Sequence, residues 1–457
     1  MLTRFLKSPV LWTGFVTLLR TGGFFLVLPI VLRKIPTEEL GMWYVFLSIA
    51  QFSGIVELGF SPNIARFASF FLGGAASARS LGIDHAEGEK RESNLAGIAG
   101  LARMGCSLYP KLGAAMGLLM TVGGGLWLSF NFGAKFWNLQ VAPAFFLYAA
   151  GMTANMYGLF WMNLLFGVDR VRQGQEVFAI GLILNYILCA VGLLCGAGLY
   201  ALALGQIALA LFPRWLAYRI VKRDFLDKAP EIQPVSWRDL WPMTWKSGLC
   251  TFAGWLSLPA MTLICAQVVG LTDTARYGLS MQLITMVYGL AGTWIGVKWP
   301  QIGVMRTRLE YPLIRRLVFE RFILSLATYA VGAVVAWWLA PEALHLFKSK
   351  TNFLPPVLLA LLFGVVFVDF IIGMGKSFLV SGNHMPHLES VLATGVLTVI
   401  VAFVFGHLWG ILGIILAPAF CQLIFNFWYT LRLCWIDFYP INEAKRGPGN
   451  NLCAPLN

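Results

Sequence analysis

The 457-residue chain is 58% hydrophobic and only 12% charged, with a mean hydropathy of +0.73, whereas a soluble globular protein carries roughly a quarter charged residues. So little polar surface cannot coat a water-soluble particle, which excludes a soluble enzyme or binding module. The net charge of +13 does not mark a nucleic-acid binder either, because the basic residues sit in loops between apolar runs and form no stripe or tail.

In chain order, apolar runs long enough to cross a bilayer occupy 9–32, 41–60, 105–130, 141–166, 176–195, 198–218, 241–268, 277–299, 318–340, 354–380, 388–406 and 409–432. The first follows Arg4 and Lys7 and has no small-residue cleavage site behind it, so it reads as a retained helix and not a signal peptide. Pro62 to Leu72 is a short amphipathic stretch, expected at the membrane surface after the second span. The eight cysteines lie mostly inside spans without CxxC spacing, and the five histidines form no ligand set, so no metal or cofactor is expected.

Counting Lys and Arg between spans gives 22 on the side of the N-terminus and six on the other, with six in or beside spans. Cytoplasmic loops carry the excess of positive charge, so both termini are placed in the cytoplasm and the number of spans is even. Loops on the opposite side are all short and offer no room for a catalytic centre. The division expected is a six-helix lobe over 1–220, a cytoplasmic linker over 221–240, a second six-helix lobe over 241–432 and a cytoplasmic tail over 433–457.

The two halves share landmarks. Gly41 precedes Pro62-Asn63-Ile64 by 21 residues, and Gly278 precedes Pro300-Gln301-Ile302 by 22; Gly167 corresponds to Gly382, and Trp215 with Arg219 to Trp428 with Arg432. The offset falls from 238 at the prolines to 215 at the glycines, a drop matched by one inserted loop near 73–94. Both halves start on the same side, so the repeat is parallel, about an axis along the membrane normal.

Leu28-Pro29 in the first span, Glu38-Glu39-Leu40-Gly41, Glu57-Leu58-Gly59-Phe60 leading to Arg66, and Tyr277-Gly278 through Trp299-Pro300-Gln301 resemble the polysaccharide-transport branch of the multidrug/oligosaccharidyl-lipid/polysaccharide (MOP) superfamily. The resemblance implies an all-α polytopic membrane protein of about 12 transmembrane helices in two six-helix lobes around a central cavity. It further implies a flippase of a bacterial inner membrane, carrying an undecaprenyl-diphosphate-linked oligosaccharide such as an O-antigen or exopolysaccharide repeat unit. A polysaccharide polymerase machinery would be its partner, and a proton or sodium ion a candidate for coupling.

Charge inside a bilayer costs at least about 2.5–3.5 kcal/mol per residue on insertion scales, so each instance asks for a reason. Arg20 lies mid-span; Glu57, Lys246 and Lys298 lie in the cytoplasmic halves of their spans; Asp369 is central, with Lys376 on the same helical face about 10 Å away. A funnel lined by Arg20, Arg66, Lys246, Lys298 and Lys376 would suit the diphosphate, Arg20 above all, because guanidinium binds phosphate oxygens bidentately and keeps its charge when desolvated. The lysines could equally snorkel to the interface. Glu57 could cap the surface turn or pair with Arg66, and Asp369 could couple an ion or neutralise a basic neighbour.

Gly375-Lys376-Ser377 imitates the end of a phosphate-binding loop, but Phe370 stands where the motif needs glycine. Rival readings are an ion-coupled multidrug or small-molecule exporter, which would favour an acidic cavity, and a membrane glycosyltransferase or polysaccharide ligase, which would need a large outward loop.

Overall fold

The computed structural model describes residues 9–74, 93–296, 298, 301–302, 305, 310–346, 349–380 and 386–438. Every regular element among them is helical. The first half comprises α1 (Pro9–Lys34), α2 (Thr37–Ala50), α3 (Ser53–Val56), α4 (Phe60–Leu72), α5 (Leu95–Leu118), α6 (Gly125–Phe132), α7 (Ala142–Gly167), α8 (Val171–Leu194) and α9 (Leu199–Asp224). The second comprises α10 (Trp237–Ser257), α11 (Pro259–Val268), α12 (Leu271–Gly296), α13 (Tyr311–Leu346), α14 (Pro356–Val380), α15 (Leu388–Trp409), α16 (Ile411–Cys421) and α17 (Phe427–Phe438).

Joined across their local breaks, these helices form twelve units that match the twelve apolar runs. Nine segments are long and apolar enough to span a membrane by length and composition among the described residues. The other three, α1, α7 and α12, have 26 residues each, about 39 Å at the α-helical rise. The halves repeat their pairings. α1 packs on α8 as α10 packs on α15, α7 on α9 as α14 on α16, and α8 on α9 as α15 on α16.

Three elements differ from the sequence expectation. The third unit starts at Leu95, ten residues early, because Asn94 accepts a hydrogen bond from Gly97 N and caps it. The Pro62–Leu72 stretch lies within α4. It is amphipathic, but Phe60, Ile64, Phe67, Ala68 and Phe71 bury their stripe against α5 and α7, so protein and not lipid covers that face. The linker is shorter than 221–240, since α9 runs on to Asp224 and α10 opens at Trp237 behind a Ser236–Asp239 capping box.

The halves meet along the second unit. A Cβ at Gly41 would stand 2.1 Å from the Leu271 carbonyl oxygen, and one at Gly278 would overlap the Tyr44 ring, so α2 and α12 touch backbone to backbone. Tyr44 donates to Gln282 Oε1 at 2.9 Å, Trp255 Nε1 donates to the Ser48 carbonyl at 3.0 Å, and Ser48 Oγ bonds to the Pro259 carbonyl. Further along, the chain breaks at Glu57-Leu58-Gly59, with φ of 54° at Leu58 and 76° at Gly59. Gly59 is required twice over: its φ is left-handed, and a Cβ there would meet Ser247 Cβ at 2.5 Å.

Candidate functional site

Each half holds a carboxylate in a side-chain hydrogen-bond network, Glu57 buried and Asp369 half-buried. In the first, Glu57 sits at the break in the second unit, 9% exposed. It accepts from Tyr109 Oη at 2.9 Å and from Ser61 Oγ, and Ser61 in turn accepts from Asn163 Nδ2. Side chains from α4, α5 and α7 are thereby linked to one carboxylate at the break.

In the second, Asp369 on α14 accepts from Gln422 Nε2 at 3.4 Å. Gln422 Oε1 accepts from Asn426 at 2.6 Å, and Ser390 Oγ donates to Asn426 Oδ1 at 3.1 Å. Gln422 and Asn426 bound a π-helical turn, Gln422–Asn426, between α16 and α17. Such turns recur at functional sites because the extra residue re-aims side chains. Asp369 and Lys376 lie seven residues apart on the uninterrupted α14, which puts both on one face of that helix. This arrangement can hold a proton or a cation at Asp369.

The five expected binding cations do not converge on one cavity. Arg20 is exposed on α1, beside the point where Tyr186 of α8 donates to the Leu19 carbonyl at 3.0 Å. Arg66 is exposed over the Phe70 ring at 5.4 Å, and Lys246 is exposed over Trp245 at 5.7 Å. Lys298 donates to Gln301 Oε1 at 3.1 Å.

A cavity of about 700 Å³ lined by both halves lies elsewhere, between α5, the segment before α10, and the start of α10. Arg103, Ser107 and Lys111 line it from α5, Trp237, Asp239 and Trp241 from α10. Sequence reasoning singles out none of these. It leaves Arg103 in a loop because the Gly- and Ala-rich start of α5 is weakly apolar, and Lys111 is a lone cation inside an apolar run. Arg214, at the end of the 198–218 run, is 9% exposed inside α9, packed where Gly158 of α7 leaves room, with Nη1 donating to the Leu209 carbonyl at 3.0 Å.

At the end remote from the α9–α10 connection, the halves are tied together. Lys350 N donates to the Leu32 carbonyl at 3.0 Å, Thr37 Oγ1 donates to the Lys350 carbonyl at 3.1 Å, and Thr351 Oγ1 bonds to Thr37 Oγ1 at 3.0 Å.

Two six-helix halves with repeated pairings, joined along the second unit, make up a fold that solved membrane transporters share. The chain superposes with a TM-score of 0.68 on the inward-facing conformation of a multidrug resistance MATE family transporter of the MOP superfamily, at 15% identity, covering 96% of this chain and 100% of that one. It superposes at 0.62 on a ligand-bound structure of the MATE multidrug transporter DinF-BH, at 14% identity, covering 94% of this chain and 96% of that one. A MOP superfamily transporter from Pyrococcus furiosus, described as having a binding pocket of reverse polarity that suggests a different function, matches at 0.61 and 14% identity, covering 95% of this chain and 98% of that one. No family model and no curated protein matches the sequence. At these identities the likeness establishes the fold, and with it a polytopic all-α architecture.

Proposed function

We propose that this protein is an alternating-access membrane transporter whose cargo is an anionic amphiphile, with a polyprenyl-diphosphate-linked oligosaccharide as the form that fits best. The carrying observation is the asymmetry of accessible charge. Arg20, Arg103, Lys111 and Lys246 are exposed on their helices, whereas Glu57 is enclosed by its donors and Asp369 is met by Gln422. An anionic head group gains charge-assisted hydrogen bonds from such a surface, and a cationic drug meets repulsion. The tie between Leu32, Thr37 and Lys350 closes one end, and the chain superposes better on an inward-facing MATE structure (TM-score 0.68) than on an outward-facing one (0.59). With the distribution of Lys and Arg, this supports a bacterial inner-membrane protein with cytoplasmic termini, its tied end outside.

A second reading, ion-coupled export of small molecules, has the fold neighbours on its side, because the proteins that this chain superposes on are described as multidrug transporters. Their likeness speaks for this cargo class more directly than for a lipid-linked sugar, and Asp369 would be its coupling site.

Cells lacking the protein separate the two readings. Lipid-linked oligosaccharide should accumulate on the cytoplasmic leaflet, and Arg20→Ala should clear less of it than wild type at equal expression. Normal delivery of the sugar lipid to the outer leaflet, together with increased sensitivity to small-molecule toxins, would establish the second reading instead.

A further inference from the structure

We infer that the cavity of about 700 Å³ between α5 and α10 is a docking site for the net-negative phosphate head group of an anionic membrane lipid. Its roof is built and held in place. The segment before α10 lies across α5, with Gln233 N donating to the Ala96 carbonyl at 3.1 Å and Asn94 Nδ2 donating to Gln233 Oε1 at 3.0 Å. Gly100 lets it lie flush, since a Cβ there would stand 1.8 Å from the Gln233 carbonyl oxygen.

Under that roof, Arg103, Ser107 and Lys111 recur every fourth residue on one face of α5. Two cations thus bracket a hydroxyl over about 12 Å of helix axis. Neither cation forms an ion pair with a described residue. The one acid lining the cavity, Asp239, is turned to the Ser236 backbone N–H in the capping box and is not aimed at them. Among the described lining residues the site thus presents two cations and a donor hydroxyl against one carboxylate, which is already engaged by the backbone, a net positive balance that suits phosphate.

The rest of the lining selects a lipid over a soluble phosphate. Leu58, Leu108 and Leu112 form an apolar floor beside the cations, which an acyl or prenyl chain would cover. Trp237 and Trp241, 42% and 40% exposed and edge to face at 5.7 Å, are the residue type that settles at the head-group level of a bilayer. A cavity of similar size between α13, α14 and α17 also carries two arginines. There Arg315 bonds to the Phe438 carbonyl and Arg316 to Glu320, so its cations are already engaged.

The inference rests on the transport reading only in taking this groove as membrane-facing. Binding is measured without transport, so a protein that binds the lipid yet moves none would remove the transport reading and leave the site standing. The full-length protein is placed in phosphatidylcholine nanodiscs containing a small fraction of tail-brominated phosphatidic acid or, separately, tail-brominated phosphatidylcholine. Quenching at the site is the difference between wild type and Trp237→Phe/Trp241→Phe.

Phosphatidic acid should quench this pair with an apparent affinity at least about tenfold tighter than phosphatidylcholine. Arg103→Gln/Lys111→Gln should bring the two lipids to parity, and Arg103→Lys/Lys111→Arg, which keeps both charges, should retain the preference and serve as the folding control. Equal quenching by both lipids in wild type, or a preference that survives Arg103→Gln/Lys111→Gln, overturns the proposal. Inorganic pyrophosphate is then titrated against bound phosphatidic acid. Failure to displace it supports a lipid ligand, and displacement at equal concentration overturns the lipid assignment in favour of a soluble phosphate.

Discussion

The backbone contact between α2 and α12 makes Gly41→Ala a stringent test of how the halves are joined. The new methyl carbon would lie 2.1 Å from the Leu271 carbonyl oxygen, where ordinary contact begins at 3.4 Å, so the two helices must separate locally by about 1.3 Å. No flexible side chain can absorb this, because the obstacle is main chain. Overpacking of this kind destabilises by about 1–3 kcal/mol, against at most about 1 kcal/mol gained from replacing glycine by alanine in a helix. With the full offset, the expected net loss is about 0–2 kcal/mol, toward the upper end because the obstacle is main chain. Gly254→Ala on α10 is the matched control: its added carbon meets nothing within 4 Å, so only the helix-propensity gain remains and the sign reverses. Thermal unfolding in detergent, followed by loss of the monodisperse peak, reads both, with Gly41→Ala below wild type by a few degrees and Gly254→Ala level or above. A Gly41→Ala protein as stable as Gly254→Ala would show that the seam is not where it is placed here.

Three further outcomes follow from the same geometry. Tyr109→Phe leaves the buried Glu57 carboxylate one donor short and should lower stability by about 1–3 kcal/mol in the same unfolding assay; Glu57→Gln should be milder, and the reverse order would count against the network. Thr37→Val removes both side-chain bonds that tie the 37 and 350 segments, together worth about 1–3 kcal/mol, and should raise the population open at that end at least about fivefold. Spin-label distances between Lys34 and Glu342 would report it, and an unchanged distribution would deny the tie a gating role. If Asp369 couples an ion, transport by Asp369→Asn should lose its response to an imposed proton or sodium gradient, whereas Glu57→Gln should keep it; an Asp369→Asn protein that still follows the gradient removes coupling from this residue.

The helical units were legible because a spanning helix must satisfy its backbone internally and cover itself with apolar side chains, which leaves a contiguous signal such as 356–380. The start of α5 was not, since glycine and alanine between 95 and 105 lower the hydropathy although those residues pack well. Gly97 and Gly105 are met closely by Phe71 and Phe160. The kinks are partly written in the chain, at Gly59 and Pro259, but the π turns at Leu119–Gly124 and Gln422–Asn426 depend on neighbours and leave no local mark. Charges were legible by depth but not by direction. Asp369 and Lys376 share a face as their spacing requires, while Arg20, Arg66 and Lys298 go to separate places, because which way a helix is turned is set by the residues it packs against. Arg103 and Lys111 escape notice for the complementary reason. They gain meaning only from the 229–236 segment folded over them, a contact between residues more than a hundred positions apart.

The central claim, that an anionic amphiphile is moved by this fold, is tested most directly in proteoliposomes holding the purified protein. A fluorescent polyprenyl-diphosphate-linked oligosaccharide is loaded in both leaflets, and a membrane-impermeant quencher reads the fraction that becomes accessible with time. A cationic dye trapped in parallel vesicles reports drug efflux. The account predicts that accessible lipid passes beyond the half present in the outer leaflet of empty vesicles only when the protein is present, more slowly with Arg20→Ala, while the dye stays inside. Protein-dependent dye efflux with no movement of the sugar lipid would contradict it.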